Sequence, residues 1–184
     1  MKIEEINKYL EKNIIPLPGY SGKEKLYRCS ATLLDGIFLP CVVIQDSRYQ
    51  LQLALRRFEE TRMNKNLHSS MGYESIVKSF VCSGNRLNYY QIKELKPSIY
   101  AIPIERMKEM GGETSMGWTE FTAAMDDGKE FSFGTSFETM FFNMPEGYTA
   151  DRIKKIVPTE RANAKGASRV YREKPYFDCF MDNK

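Results

Sequence analysis

The stretch that decides the fold is Leu26-Tyr27-Arg28-Cys29-Ser30-Ala31-Thr32-Leu33-Leu34-Asp35-Gly36-Ile37-Phe38-Leu39-Pro40-Cys41-Val42-Val43-Ile44. Two apolar-rich runs flank Asp35-Gly36, a pair suited to the type I′ turn that joins antiparallel strands through a two-residue loop. A hairpin of 26–34 with 37–44 follows. With Leu34 opposite Ile37, residues Tyr27, Cys29, Ala31 and Leu33 share one face with Phe38, Pro40, Val42 and Ile44. Cys29 and Cys41 then lie on opposite faces and cannot be bridged. Pro40, which has no N–H for a ladder bond, points to an edge strand, or at least to a side of the strand that donates no ladder bond.

Upstream, Ile3, Ile6 and Leu10 recur at spacings of three and four among Glu and Lys, the period of an amphipathic helix over 2–13. Pro16 and Pro18 end it, and 16–22 reads as a loop. Downstream, Ser47 and Gln50 resemble a capping box that opens a helix over 47–62, with Leu51, Leu55 and Phe58 on its apolar side. Further hairpins are expected at 74–82 with 87–95 around Gly84-Asn85, and at 118–125 with 129–133 around Asp127-Gly128. In the second of these, Phe131 and Phe133 would face Ala124 and Thr122. A short helix is expected at 103–110, with Pro103 at its first position and Gly111 beyond its end. The aromatic-rich 136–144 reads as a strand, and 149–156 as a brief helix capped by Thr149.

The expected fold is therefore α+β: a mainly antiparallel sheet built from hairpins, two or three packed helices, and an extended C-terminal tail. The 184 residues suit one domain over 1–157 followed by a tail over 158–184, and no internal repeat is visible. At 42% hydrophobic, with 11 Phe and 11 Tyr, the chain has the bulk for a real core. Its longest apolar stretch, 37–44, is far short of the roughly 20 residues of a membrane span and is interrupted by Pro40. The first residues, Met1-Lys2-Ile3-Glu4-Glu5, lack the pattern of a secretory signal, so the expected compartment is the cytoplasm.

Local motifs for chemistry are few. The one histidine, His68, would need Cys29, Cys41, Cys82 or Cys179 beside it to form a nucleophilic pair. Cys82, at a turn, is the best placed of the four. The plainer reading makes His68 an exposed loop residue and Cys82 a strand-end core residue. No closely spaced Cys/His pairs suggest zinc, and no cofactor or metal is expected. Glu4-Glu5, Glu59-Glu60 and Asp126-Asp127 read as solvated helix or turn residues. Gly111-Gly112-Glu113-Thr114-Ser115-Met116-Gly117 lacks phosphate-loop spacing and follows a helix where it should precede one, so it reads as a flexible linker.

Charge is unevenly distributed. From Ala150 onward nine Lys/Arg stand against five acids, a balance of +4, whereas the first 149 residues carry 18 against 19. The candidate recognition residues lie in this basic, aromatic end: Arg169, Tyr171, Arg172, Lys174, Tyr176 and Phe177. Cations alternating with flat rings suit single-stranded nucleic acid, but Glu173 and Asp178 interrupt the stripe. Docking of the tail on its own sheet, or contact with a protein, accounts for the same residues.

The leading expectation is a non-catalytic protein-binding module, such as an inhibitor, an immunity-type protein or an adaptor, because a chain rich in Tyr, Phe, Met and Arg has the composition that interfaces favour. A nucleic-acid-binding protein using the tail is the alternative. A further alternative is an enzyme whose site is assembled from scattered Tyr, Arg and Glu with no local motif. The cysteines are separated by 12, 41 and 97 residues, which fits neither a redox pair nor a disulfide framework. All four should titrate as free thiols after unfolding without reductant; a mass two daltons low per chain would contradict this.

Overall fold

A computed structural model describes residues 1–19, 22, 24–63, 72–82, 84–136, 138–159 and 170–182. The helix α1 (Ile3–Asn13) forms as the periodicity requires, with Glu4 and Glu5 in its first turn and Lys12 in its last, where they complement the helix dipole. The Glu5 carboxylate accepts the Lys2 backbone N–H at 2.8 Å. Ile6 and Leu10 are buried against one face of a six-stranded sheet. That sheet runs β1 (Leu17–Pro18), β2 (Lys25–Leu33), β3 (Phe38–Asp46), β10 (Phe177–Met181) and β4 (Arg86–Asn88), with β5 (Ile92–Pro97) also paired to β2. A second, four-stranded sheet has the order β8 (Ile153–Pro158), β6 (Thr119–Met125), β7 (Glu130–Thr135), β9 (Val170–Arg172).

The fold is thus mixed α/β in two sheets, and not one mainly antiparallel sheet. The strand β10 pairs parallel with both β3 and β4, and β9 pairs parallel with β7. Local turn signals could not show this, because parallel partners arrive from distant parts of the chain. β3 is consequently central, and Pro40 is tolerated there because it sits in a bulge. Pro40 and Cys41 together oppose Ser30 alone, between the pairs Cys29–Val42 and Ala31–Leu39.

Both Asp-Gly turns differ from the expected type I′. In the first, Gly36 N–H bonds Leu33 O at 3.0 Å and Leu33 N–H bonds Ile37 O at 2.8 Å; in the second, Gly128 N–H bonds Met125 O at 3.1 Å and Met125 N–H bonds Lys129 O at 2.8 Å. Only the glycines take positive φ, +91° and +83°. These are three-residue loops, a type I turn followed by a glycine bulge. The extra loop residue shifts the second hairpin by one position, so Phe131 opposes Ala123 and Phe133 opposes Phe121, whose rings stack 5.5 Å apart. In the first hairpin the shift holds near the turn, and the Pro40 bulge restores the expected Cys29–Val42 and Tyr27–Ile44 pairs.

A structural duplication, not seen as a repeat in the sequence, underlies the two sheets. Each has a hairpin closed by the same turn, a return strand antiparallel to the first hairpin strand, and a C-terminal strand parallel to the second. The registers coincide. Cys29 opposes Pro97 and Leu33 opposes Ile92; Phe121 opposes Pro158 and Met125 opposes Ile153. A single 3₁₀ turn precedes each return strand, Tyr89–Gln91 and Ala150–Arg152. Each return strand carries one extra residue, Lys93 or Lys154, at the same place.

That bulge explains why 149–156 looks helical. It turns the two-residue period of a strand into the spacing of three that separates Ile153 from Ile156. Other expectations are corrected as well. Residues of the expected strand 74–82 form the helix α3 (Tyr73–Val81), where Ile76 and Phe80 recur four apart. The stretch 136–144 is not a strand. Its one bridge joins Phe142 to Glu173, and Phe141 and Phe142 enter different cores. Only one turn of the helix expected at 103–110 forms, α4 (Ile104–Met107). The helix α2 (Arg48–Met63) has nearly its expected bounds but buries no residue against the sheet. The Ser47 hydroxyl donates to Asp182 at 2.6 Å and does not cap α2. The stretch 111–117, expected as a linker, is mostly exposed but anchored at buried Thr114, whose hydroxyl accepts the Glu120 N–H at 2.9 Å. Residues 160–169 of the expected tail lie outside the described residues, and 170–181 supplies a strand to each sheet.

Nothing lies within 4 Å of a Cβ placed on Gly36, so backbone conformation alone restricts that position. Gly36→Val should therefore destabilise the protein by about 1–2 kcal/mol, the usual cost of left-handed backbone for an L-residue. Gly36→Asn should retain most of the stability. Urea denaturation checks both; an unchanged midpoint for the valine variant would contradict the turn geometry.

Candidate functional site

The basic, aromatic end is held by the rest of the molecule. Tyr171, on β9, packs in the core of the second sheet, its ring 5.6 Å from Phe133 and 5.9 Å from Phe131. The Arg172 guanidinium lies 4.4 Å over the Trp118 ring and pairs with Glu173 at 3.0 Å. Trp118 in turn lies flat on Gly134, where a Cβ would come within 2.1 Å of the indole. The Lys174 ammonium lies 4.7 Å over the Tyr100 ring and bonds Asn143 Oδ1 at 3.3 Å.

The half-buried Tyr176 packs on Phe141 and donates its hydroxyl to Glu138 at 3.2 Å; burial raises its pKa first, and Glu138 and Asp178 add to the shift. Phe177, exposed, begins β10 opposite Val42. Arg169 and His68 lie outside the described residues. The five described candidates are not gathered into one site: Arg172, Lys174 and Tyr176 lie along the segment 140–143, Tyr171 is packed in the second core, and Phe177 begins a strand of the first sheet.

Groups able to act as nucleophiles are subdued. Burial pushes the Cys41 thiol up to about 11, the Cys179 thiol up to about 12, and the Cys29 thiol higher still. Cys82 is exposed beyond the end of α3, not a core residue. Asp178 takes hydrogen bonds from Gln45 at 3.1 Å and Asn85 at 3.3 Å, yet burial raises its pKa. Among the described residues, no three His, Cys, Asp or Glu side chains are gathered as a metal site, and no helix is long and apolar enough to cross a membrane. A groove of about 1060 Å³ opens between α1, the ends of β2 and β3, and the start of α2; Glu4 and Glu11 face it from α1, and Asp46 pairs with Arg48 at 2.5 Å on its other side.

Two apolar surfaces were not picked out from the sequence. One is α2, a 16-residue helix with no buried residue, which exposes Leu51, Leu55 and Phe58 at spacings of four and three. Phe58 meets Tyr73 of α3 edge-on at 5.2 Å. The other is the tip of the first hairpin, where Leu34, Ile37 and Phe38 join Tyr90 of the neighbouring 3₁₀ turn. Leu34 N–H bonds Gln91 O at 2.9 Å, which holds the tip beside that turn. The sequence signal for the tip was the string of apolar residues around Asp35-Gly36, absorbed in the strand reading. Comparison with protein-family models, with curated proteins and with solved structures finds no match.

Because Tyr176 fills space against Phe141 while Lys174 sits at the surface edge of a ring, Tyr176→Ala should lower stability by about 2–3 kcal/mol and Lys174→Ala by less than about 1 kcal/mol. Thermal unfolding checks the order, and equal losses would contradict it. In the native protein a thiol reagent should modify Cys82 alone and quickly.

Proposed function

We propose that this protein acts by binding another protein and performs no chemistry of its own, in the manner of an inhibitor, an immunity-type protein or an adaptor. The observation that carries the reading is α2. No residue of this 16-residue helix is fully buried, and Leu51, Leu55 and, beside its contact with Tyr73, Phe58 remain exposed; an apolar stripe of this spacing is what a helix presents to a groove or to a second helix. On its polar side Arg57 and Arg62 pair with Glu60 and Glu59 at 2.6 and 2.7 Å. The stripe is therefore the surface with free energy to gain from a partner. The cations that would suit a nucleic acid, Arg172 and Lys174, are already stacked on the protein's own rings.

The test is affinity capture of the tagged protein from its source cells, with and without nuclease, beside the variant Leu51→Ser, Leu55→Ser, Phe58→Ser. A protein should be retained by the parent whether or not nuclease is added, and lost by at least tenfold with the variant. Nuclease-sensitive retention, together with strongly salt-dependent binding of random oligonucleotides, would contradict the proposal and favour a nucleic-acid partner.

A further inference from the structure

The duplication supplies an internal comparison that a single hairpin could not. Both turns are built with the same bonds: the glycine with positive φ, the i to i+3 bond, and an aspartate side chain accepting the N–H two residues on, Asp35 from Ile37 at 3.0 Å and Asp127 from Lys129 at 3.1 Å. Even the tie to the 3₁₀ turn is shared, since Leu34 N–H bonds Gln91 O and Asp126 N–H bonds Arg152 O, both at 2.9 Å.

What differs is the outward surface. Leu34, Ile37, Phe38 and Tyr90 occupy the places that Asp126, Lys129, Glu130 and Asp151 occupy in the second half. In that half the charged residues form ordinary surface pairs, such as Arg152 with Asp126 at 2.7 Å. The turn geometry therefore imposes no apolar requirement at these four places, yet in the first half they are 66%, 55%, 58% and 62% exposed.

We infer that the tip formed by Leu34, Ile37, Phe38 and Tyr90 is an anchor that enters an uncharged apolar pocket on a partner protein. The inference rests on the proposed protein-binding function and adds to the α2 stripe a second, separate contact. Four side chains on a convex tip are far fewer than the roughly 20–30 residues a side of a stable interface, so two copies joined tip to tip would bury too little. Insertion into a concave partner desolvates all four, as anchors at hot spots are desolvated. The charges beside them balance, Asp35 and Glu94 against Lys93 and Lys96. Asp35 is bonded to the turn, and Glu94 pairs with Lys96 at 3.2 Å. That fits an uncharged pocket and lacks the cationic surround that favours an anionic lipid surface.

The experiment uses the full chain in two arms. First, Leu34→Asp, Ile37→Lys, Phe38→Glu and Tyr90→Asp are combined, copying the second half; the unfolding midpoint should be unchanged, and a clear fall would make the four residues structural and overturn the inference. Second, the photo-crosslinker p-benzoylphenylalanine replaces Phe38, Glu130 or Leu55 in separate samples irradiated in source cells. A discrete adduct with one other protein is expected from position 38 and not from position 130. That protein, purified, should bind the parent at least tenfold more tightly than the fourfold variant, with less than threefold change in affinity between 50 and 300 mM salt. Equal adducts from 38 and 130, an adduct with a second copy of the chain, or tip-dependent binding to phosphatidylcholine vesicles without a protein adduct would overturn it. An adduct from Leu55 with none from Phe38 would leave the protein-binding function standing and remove the tip from it. No adduct from either position would end both.

Discussion

The two halves are held to one another by a buried cation, Arg28, to which the described residues offer carbonyls and no carboxylate. Arg28 points from β2 away from the α1 side of the sheet, and its guanidinium donates to Ile102 O at 2.6 Å and Met140 O at 3.2 Å. Both acceptors are backbone carbonyls of segments that lead into the second sheet. Burial lowers the Arg28 pKa to about 10, which still leaves it charged at neutral pH. Two of its three nitrogens are satisfied in this way while the buried Nε has no partner among the described residues, so loss of either segment would leave the charge still less compensated. Around it Cys41, Val43 and Phe141 form the small cluster between the sheets, with Tyr100, Met140 and Tyr176 packed against it. Phe141 faces this cluster and Phe142 the core of the second sheet, so one extended segment belongs to both halves.

The duplicated plan separates what the fold requires from what it permits. Turn glycines, the bulges of the return strands and the apolar residues of those strands coincide in the two halves because backbone geometry and burial demand them. Where no such demand acts, the halves diverge. Arg28 and Glu120 hold equivalent places, and both are buried; the first reaches across to the other half, whereas the second accepts from Trp118 Nε1 at 3.3 Å within its own. The hairpin tips diverge in the same way, apolar in one half and charged in the other.

Local structure governed by short spacings was legible in the sequence: α1, both Asp-Gly hairpins, the bounds of α2, and the opposite facing of Cys29 and Cys41. Errors arose where a local pattern has two causes. The bulged β8 mimics a helical spacing, and the β-branched residues of α3 mimic a strand. Register was misread because a dipeptide does not reveal whether its loop has two residues or three. The parallel strands at the C-terminal end were beyond reach, since no local feature encodes partners that lie 38 to 135 residues away. The duplication did leave a trace, Asp-Gly in both hairpins and the similar strings Ile92-Lys93-Glu94-Leu95-Lys96-Pro97 and Ile153-Lys154-Lys155-Ile156-Val157-Pro158. For the candidate site, the basic, aromatic composition of the tail was legible in the sequence, but the apolar tip stands out only against its charged counterpart.

If Arg28 couples the halves, removing it should uncouple them. The direct measurement follows unfolding of the parent and of Arg28→Ala with one probe in each half: Trp118 fluorescence for the second sheet, and amide hydrogen exchange across β2 and β3 for the first. The parent should show one transition by both probes. The variant should lose about 2–4 kcal/mol, as expected when charge-assisted bonds to two carbonyls are removed, and its two transitions should separate. Coincident transitions at an unchanged midpoint would contradict the account.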